Sequence, residues 1–221
     1  KINLTNKGSL YAATQLFDGE GNTVNDRSNF YSVTPSIGVD GKVWLYFGTG
    51  NQQKLQHMSA SIQNRTFGIK DKNFPGFLSV ASSTISNMKN TTGQGSICPA
   101  DTDIGWYINL DANEKVTGKI AVHNEALFVS RYTPNKTNIC NPGTNKLSEH
   151  EYGCGKTSSE VKLGTGILTG AVIFKDKIYL GVSGVPASSS GTPAAGFSQQ
   201  GNIIVGTPSK TSSVTGSVKY E

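Results

Sequence analysis

A chain of 221 residues with 35% hydrophobic and 16% charged positions is long enough to bury a core and short enough to form one all-β domain. Its 26 glycines stand well above the average usage of roughly 7% and favour short strands joined by tight turns over helices. The net charge of +5 is spread over turn lysines such as Lys54, Lys70, Lys89, Lys136 and Lys156, with no dense basic run, which argues against nucleic-acid binding. No stretch approaches the ~18 apolar residues of a membrane-spanning helix.

Strand-like runs are expected at 9–17, 31–39, 42–47, 76–82, 106–110, 119–122, 126–132, 166–174, 178–182 and 202–205, from their β-branched and aromatic character. Between the first two lies Asp18-Gly19-Glu20-Gly21-Asn22-Thr23-Val24-Asn25-Asp26. Its oxygen-bearing side chains Asp18, Glu20, Asn22 and Asp26, spaced by glycines that let the backbone wrap, suit a hard cation such as calcium. The same composition also describes a plain Asx- and Gly-rich hairpin loop.

The run Lys42-Val43-Trp44-Leu45-Tyr46-Phe47 is apolar or aromatic at nearly every position, as a strand covered on both faces requires. Asp40-Gly41 before it and Lys175-Asp176-Lys177 later read as tight turns. Two polar stretches, 82–96 and 183–200, read as excursions between strands, the second as a mobile loop. Asp101 and Asp103 read as solvated turn residues, with too few carboxylates for a calcium site.

Three cysteines, Cys98, Cys140 and Cys154, lack the paired spacing of zinc sites. Cys140 and Cys154 bracket a polar segment with little to bury, and a disulfide between them would close that loop, contributing roughly 3 kcal/mol in the chain-entropy picture. Such a bond places the chain outside the cytoplasm. Cys98 is then left over, free, paired with a cysteine outside this chain, or displacing one of the other two. Neither His57, His123 nor His150 lies in a nucleophile or metal motif. His123 reads as a packed or turn residue and His150 as a solvated one, so catalysis finds little support.

The strand 43–47 runs into Gly48-Thr49-Gly50, and Arg65-Thr66-Phe67-Gly68-Ile69-Lys70-Asp71 follows. Then come Gly105-Trp106-Tyr107-Ile108-Asn109-Leu110, the charged turn Glu114-Lys115-Val116, and a strand from Val122 to Tyr132 that leads to Pro134 and Cys140. In this order the motifs resemble the C-terminal domain of the type IV pilus PilC/PilY family, over most of the chain from Gly8 to Val185. The resemblance implies a β-propeller-like fold and a surface-exposed module at the pilus tip or outer membrane. Its implied work is pilus biogenesis, adhesion and twitching motility, with minor pilins or other tip components and a host or abiotic surface ligand as partners. The family also has an Asp-x-Asp-x-Asn-x-x-x-Asp calcium loop, similar to the Asp18–Asp26 pattern but placed further upstream. Asp71 would be a structural cap. The chain is expected to be one propeller-like domain spanning 1–221, or a fragment of one, and to act by binding and not as an enzyme. A quinoprotein-like propeller enzyme and a glycan-binding lectin are the alternatives.

Overall fold

The computed structural model describes residues 2–4, 10–19, 27–59, 61–76, 82–93, 95, 97–138, 140–185 and 195–209. Within them the chain is all β apart from one 3-10 turn at Ile85–Asn87. β1 (Ile2–Leu4) and β2 (Leu10–Ala13) pair antiparallel. β3 (Phe17–Asp18) is followed by β4 (Thr34–Ile37), β5 (Val43–Gly48), β6 (Arg65–Asp71), β7 (Ser83–Thr84), β8 (Lys89–Asn90) and β9 (Gly105–Asn109). Of these, β4, β5, β6, β9 and β8 form a first sheet in that order, while β3 pairs in parallel with β7. β10 (Lys115–Val116), β11 (Ala121–His123), β12 (Ala126–Thr133), β13 (Thr144–Glu151) and β14 (Thr157–Thr165) form a second sheet, β10 and β11 both pairing with β12. β15 (Val172–Phe174), β16 (Lys177–Gly181), β17 (Phe197–Gln200) and β18 (Ile203–Gly206) form a third, in the order β15-β16-β18-β17.

The second sheet lies between the other two, and β12, buried along almost its whole length, shows why. Leu127 and Val129 pack with Trp44, Tyr46, Trp106 and Ile108 of the first sheet, while Ala126 and Phe128 pack with Ile178, Leu180 and Ile204 of the third. A strand covered on both faces cannot alternate apolar with polar, which is why 126–129 reads as a continuous apolar run. The free face of the first sheet is covered in turn, as Phe67, Ile69 and Met88 gather Phe17, Leu45 and Phe47. β11 lies against β4 on one side and β15 on the other, so the three sheets meet along short strands. Among the described residues these sheets do not close into a ring.

Two of the motifs are one packing unit. Gly68 and Trp106 are direct cross-strand partners on β6 and β9, and a Cβ on Gly68 would lie 2.4 Å from the indole. The glycine therefore makes room for the largest fully buried side chain of the core. Asp71 ends β6 with its Oδ1 accepting from Asn73 N at 3.1 Å, a cap that turns the chain, in line with the structural role expected for it. Asp40-Gly41 forms the turn into β5, Gly41 taking φ +69. Lys175 and Asp176 both adopt left-handed φ in the tight β15–β16 hairpin.

Several expectations need correction. The polar segment after Cys140 is mostly β13, and β14 follows it, so both long ladders of the second sheet run through a stretch expected as a polar loop. The excursion expected at 82–96 contains β7, the 3-10 turn and β8, and it buries Met88 and Thr91. The end of the loop expected at 183–200 is β17, paired with β18, while residues 186–194 lie outside the described residues. Most of the strand expected at 76–82 also lies outside them.

Candidate functional site

The face of the second sheet turned toward the first is apolar near β11 and charged further out. Cross-strand pairing aligns Arg131 with Lys146, Val129 with Ser148 and Leu127 with His150, and sets Ser148 opposite Glu160 of β14. The same register that buries Leu127 and Val129 therefore buries Arg131, Ser148 and His150. Glu114, fully buried in the turn before β10, approaches from the side of the first sheet. Its Oε2 accepts from Asp111 N at 3.1 Å, so the turn is built around the carboxylate.

These groups form one ion-pair network. Arg131 Nη1 donates to Glu160 Oε1 at 2.8 Å and stands 3.5 Å from Glu114 Oε2. Lys146 Nζ lies 2.9 Å from Asp111 Oδ2, 3.0 Å from Glu114 Oε1 and 3.3 Å from Glu160 Oε2. Burial lowers the Lys146 pKa, but the Glu114 charge and hydrogen bonds to Asp111 and Glu114 outweigh it and hold the ammonium above its ordinary value. The hydrogen bond from Lys146, against the cost of partial burial, keeps Asp111 below the usual carboxylate range. Such a cluster survives only when its members satisfy one another, because a lone buried charge costs several kcal/mol.

His150 belongs to this network and is not solvated as expected. Arg131 Nη2 donates to its Nε2 at 2.7 Å. A guanidinium cannot accept, so Nε2 is unprotonated and Nδ1 carries the proton, 3.2 Å from Thr157 Oγ1. Burial first, and the Arg131 charge second, push the His150 pKa well below that of a free imidazole. The other histidines stand apart: His123 ends β11 with Nε2 3.0 Å from Asp176 Oδ1, and His57 supplies a backbone carbonyl to Lys115. Lys115 Nζ donates to that carbonyl and to Leu55 O, both at 2.8 Å, tying the β5–β6 connection to the charged turn, and burial lowers its pKa.

Above the network an open cleft of about 390 Å³ separates the outer strands of the first and second sheets. Thr92, Asn109 and Asp111 line one side, Ser158 and Glu160 the other, and Arg131 the floor. A disulfide joins Cys98, in the connection between β8 and β9, to Cys154, in the turn before β14. The pairing expected between Cys140 and Cys154 is therefore corrected: Cys154 bonds Cys98 and Cys140 is free and exposed. Strand β13 separates Cys140 from Cys154, whereas sheet packing brings Cys98 to it across 56 residues. Of the expected calcium ligands, Asp18 ends β3 beside Thr84, while Glu20, Asn22 and Asp26 lie outside the described residues. Asp103 accepts from Ala100 N at 2.7 Å and shapes its own turn. Neither the buried network nor the cleft had a signal in apolar periodicity; the clue available was the density of charge at 111–115 and 146–151.

No family profile matches the sequence, and no curated protein matches it. The fold does have a similar solved structure. The chain is similar to the crystal structure of the Pseudomonas aeruginosa PilY1 C-terminal domain, with a TM-score of 0.54 and 13% identity. The similarity covers 71% of this chain and 44% of that chain, so this chain spans less than half of the solved one.

Proposed function

We propose that the chain is a module of a type IV pilus-associated protein, displayed outside the cytoplasm, that acts by binding and not by catalysis. The observation that carries the reading is the structural likeness to the PilY1 C-terminal domain, on a chain whose ordered motifs resemble that family. A disulfide joining the β8–β9 connection to the turn between β13 and β14 supports an oxidising location at the cell surface, pilus tip or outer membrane. Three sheets packed face to face and meeting along short strands support a partial β-propeller, carried by a single domain over 1–221. The module supports pilus assembly, adhesion and twitching motility, through minor pilins or other tip components and a surface ligand. Calcium bound by Asp18, Glu20, Asn22 and Asp26, a carboxylate and amide set suited to a hard cation, regulates it by relieving repulsion within the loop.

The test is an in-frame deletion of this region, with wild-type and Asp18→Ala/Asp26→Ala complementation, reading surface pili, twitching zones and adherent cells. Loss on deletion with full wild-type rescue is expected, and the double variant should restore pili only partly. Normal piliation, twitching and adhesion after deletion would overturn the reading.

A further inference from the structure

We infer that the cleft between the first and second sheets is a binding site for a neutral sugar residue. This goes beyond pilus association and does not depend on it. Its volume of about 390 Å³ falls within the roughly 300–1,000 Å³ of small-ligand sites, but its lining differs from the apolar surface most such sites present. Hydroxyls of Thr92 and Ser158, the Asn109 amide, and the carboxylates of Asp111 and Glu160 surround it, with Ile108 the one large apolar contributor. A ligand that matches this wall must offer many hydroxyls.

The floor of the cleft is built from the charge network. Arg131 is only 3% exposed, two of its nitrogens are engaged by Glu160 and His150, and its Nε–H has no partner among the described residues. That Nε is itself closed to solvent, so the cleft presents to a ligand the hydroxyl, amide and carboxylate groups of its walls and not this donor. Charge then narrows the class. Glu114, Glu160 and Asp111 outnumber Arg131 and Lys146 while His150 is neutral, so the network is net negative and disfavours an anionic ligand. The site is also held in shape before binding: the charge network fixes the floor, and the Cys98–Cys154 bond ties the turn that leads into β14 to the β8–β9 connection, which limits the ordering cost on association.

The experiment is saturation-transfer NMR on the full chain with glucose, galactose, mannose, N-acetylglucosamine and, as the anionic comparison, sialic acid. Ser158 is exposed and its hydroxyl makes no hydrogen bond among the described residues, so Ser158→Trp fills the cleft without disturbing the core; an unchanged unfolding midpoint checks this. Saturable binding of at least one neutral sugar is expected, weakened tenfold or more by Ser158→Trp and also weakened by Cys98→Ser/Cys154→Ser. Absence of neutral-sugar binding, binding that survives Ser158→Trp, or binding of sialic acid alone would overturn the proposal. None of these outcomes bears on pilus association, which is read from cell fractions.

Discussion

Replacing Arg131 with methionine removes the guanidinium but keeps a side chain of comparable length in the core. Arg131 is 3% exposed and reaches Glu160 at 2.8 Å, Glu114 at 3.5 Å and His150 at 2.7 Å. Without it, fully buried Glu114 keeps Lys146 as its one cationic partner among the described residues, and Lys146 is shared with Asp111 and Glu160. Breaking a buried pair by removing one member costs about 3–5 kcal/mol, against a total domain stability of about 5–15 kcal/mol. Arg131→Met should therefore sit near the edge of stability. Urea unfolding at neutral pH reads the loss, followed by the fluorescence of Trp44 and Trp106, which are both buried. Adding Glu114→Gln should recover part of the loss, since the stranded charge is then gone. A loss below about 1 kcal/mol, the level of an exposed ion pair, would refute the claim that the network is a buried and interdependent unit.

The network also sets an acid limit. The folded His150 pKa lies well below its unfolded value of about 6.5, so the unfolded chain takes up the proton first. Stability from this residue is full above that value and is lost as pH falls below it, until the folded pKa is reached. Midpoints measured from pH 7 downward should fall more steeply for the wild type than for His150→Gln; parallel slopes would contradict this. The double variant Cys98→Ser/Cys154→Ser should lose about 4 kcal/mol in the chain-entropy picture for a 56-residue separation, while Cys140→Ser changes stability by under about 0.5 kcal/mol, both read by urea midpoints. Gly68→Ala should cost about 1–3 kcal/mol because its Cβ meets the Trp106 ring at 2.4 Å, with a shift in tryptophan emission. Tyr46→Phe should be neutral or stabilising by about 1 kcal/mol, since the buried Tyr46 hydroxyl has no hydrogen-bond partner among the described residues; a clear loss of thermal stability would contradict it.

The parts of the fold that sequence reveals are those whose buried positions are apolar. Strands β5, β9, β12, β16 and β18 carry Trp44, Trp106, Phe128, Leu180 and Ile204, and runs of such residues mark strands in the sequence. Strand β13 has one large apolar residue, Leu147, and buries Asn145, Ser148, Glu149 and His150 instead. Its polar composition reads as a loop, although cross-strand ion pairs and hydrogen bonds do there what apolar contacts do elsewhere. The disulfide escaped for a related reason. Proximity in sequence favours Cys140 with Cys154, whereas the packing of two sheets, invisible until β13 and β14 are placed, brings Cys98 to Cys154. Gly68 and Trp106 were legible as separate motif residues, and the structure joins them as partners in one ladder.

Shearing surface pili from cells and probing the pilus, outer-membrane and periplasmic fractions with antibody to this module tests the central reading most directly. Recovery with the sheared pili or the outer membrane, together with loss of pili on deletion, is the predicted result. Confinement to a soluble periplasmic pool in cells whose pili are intact would contradict it.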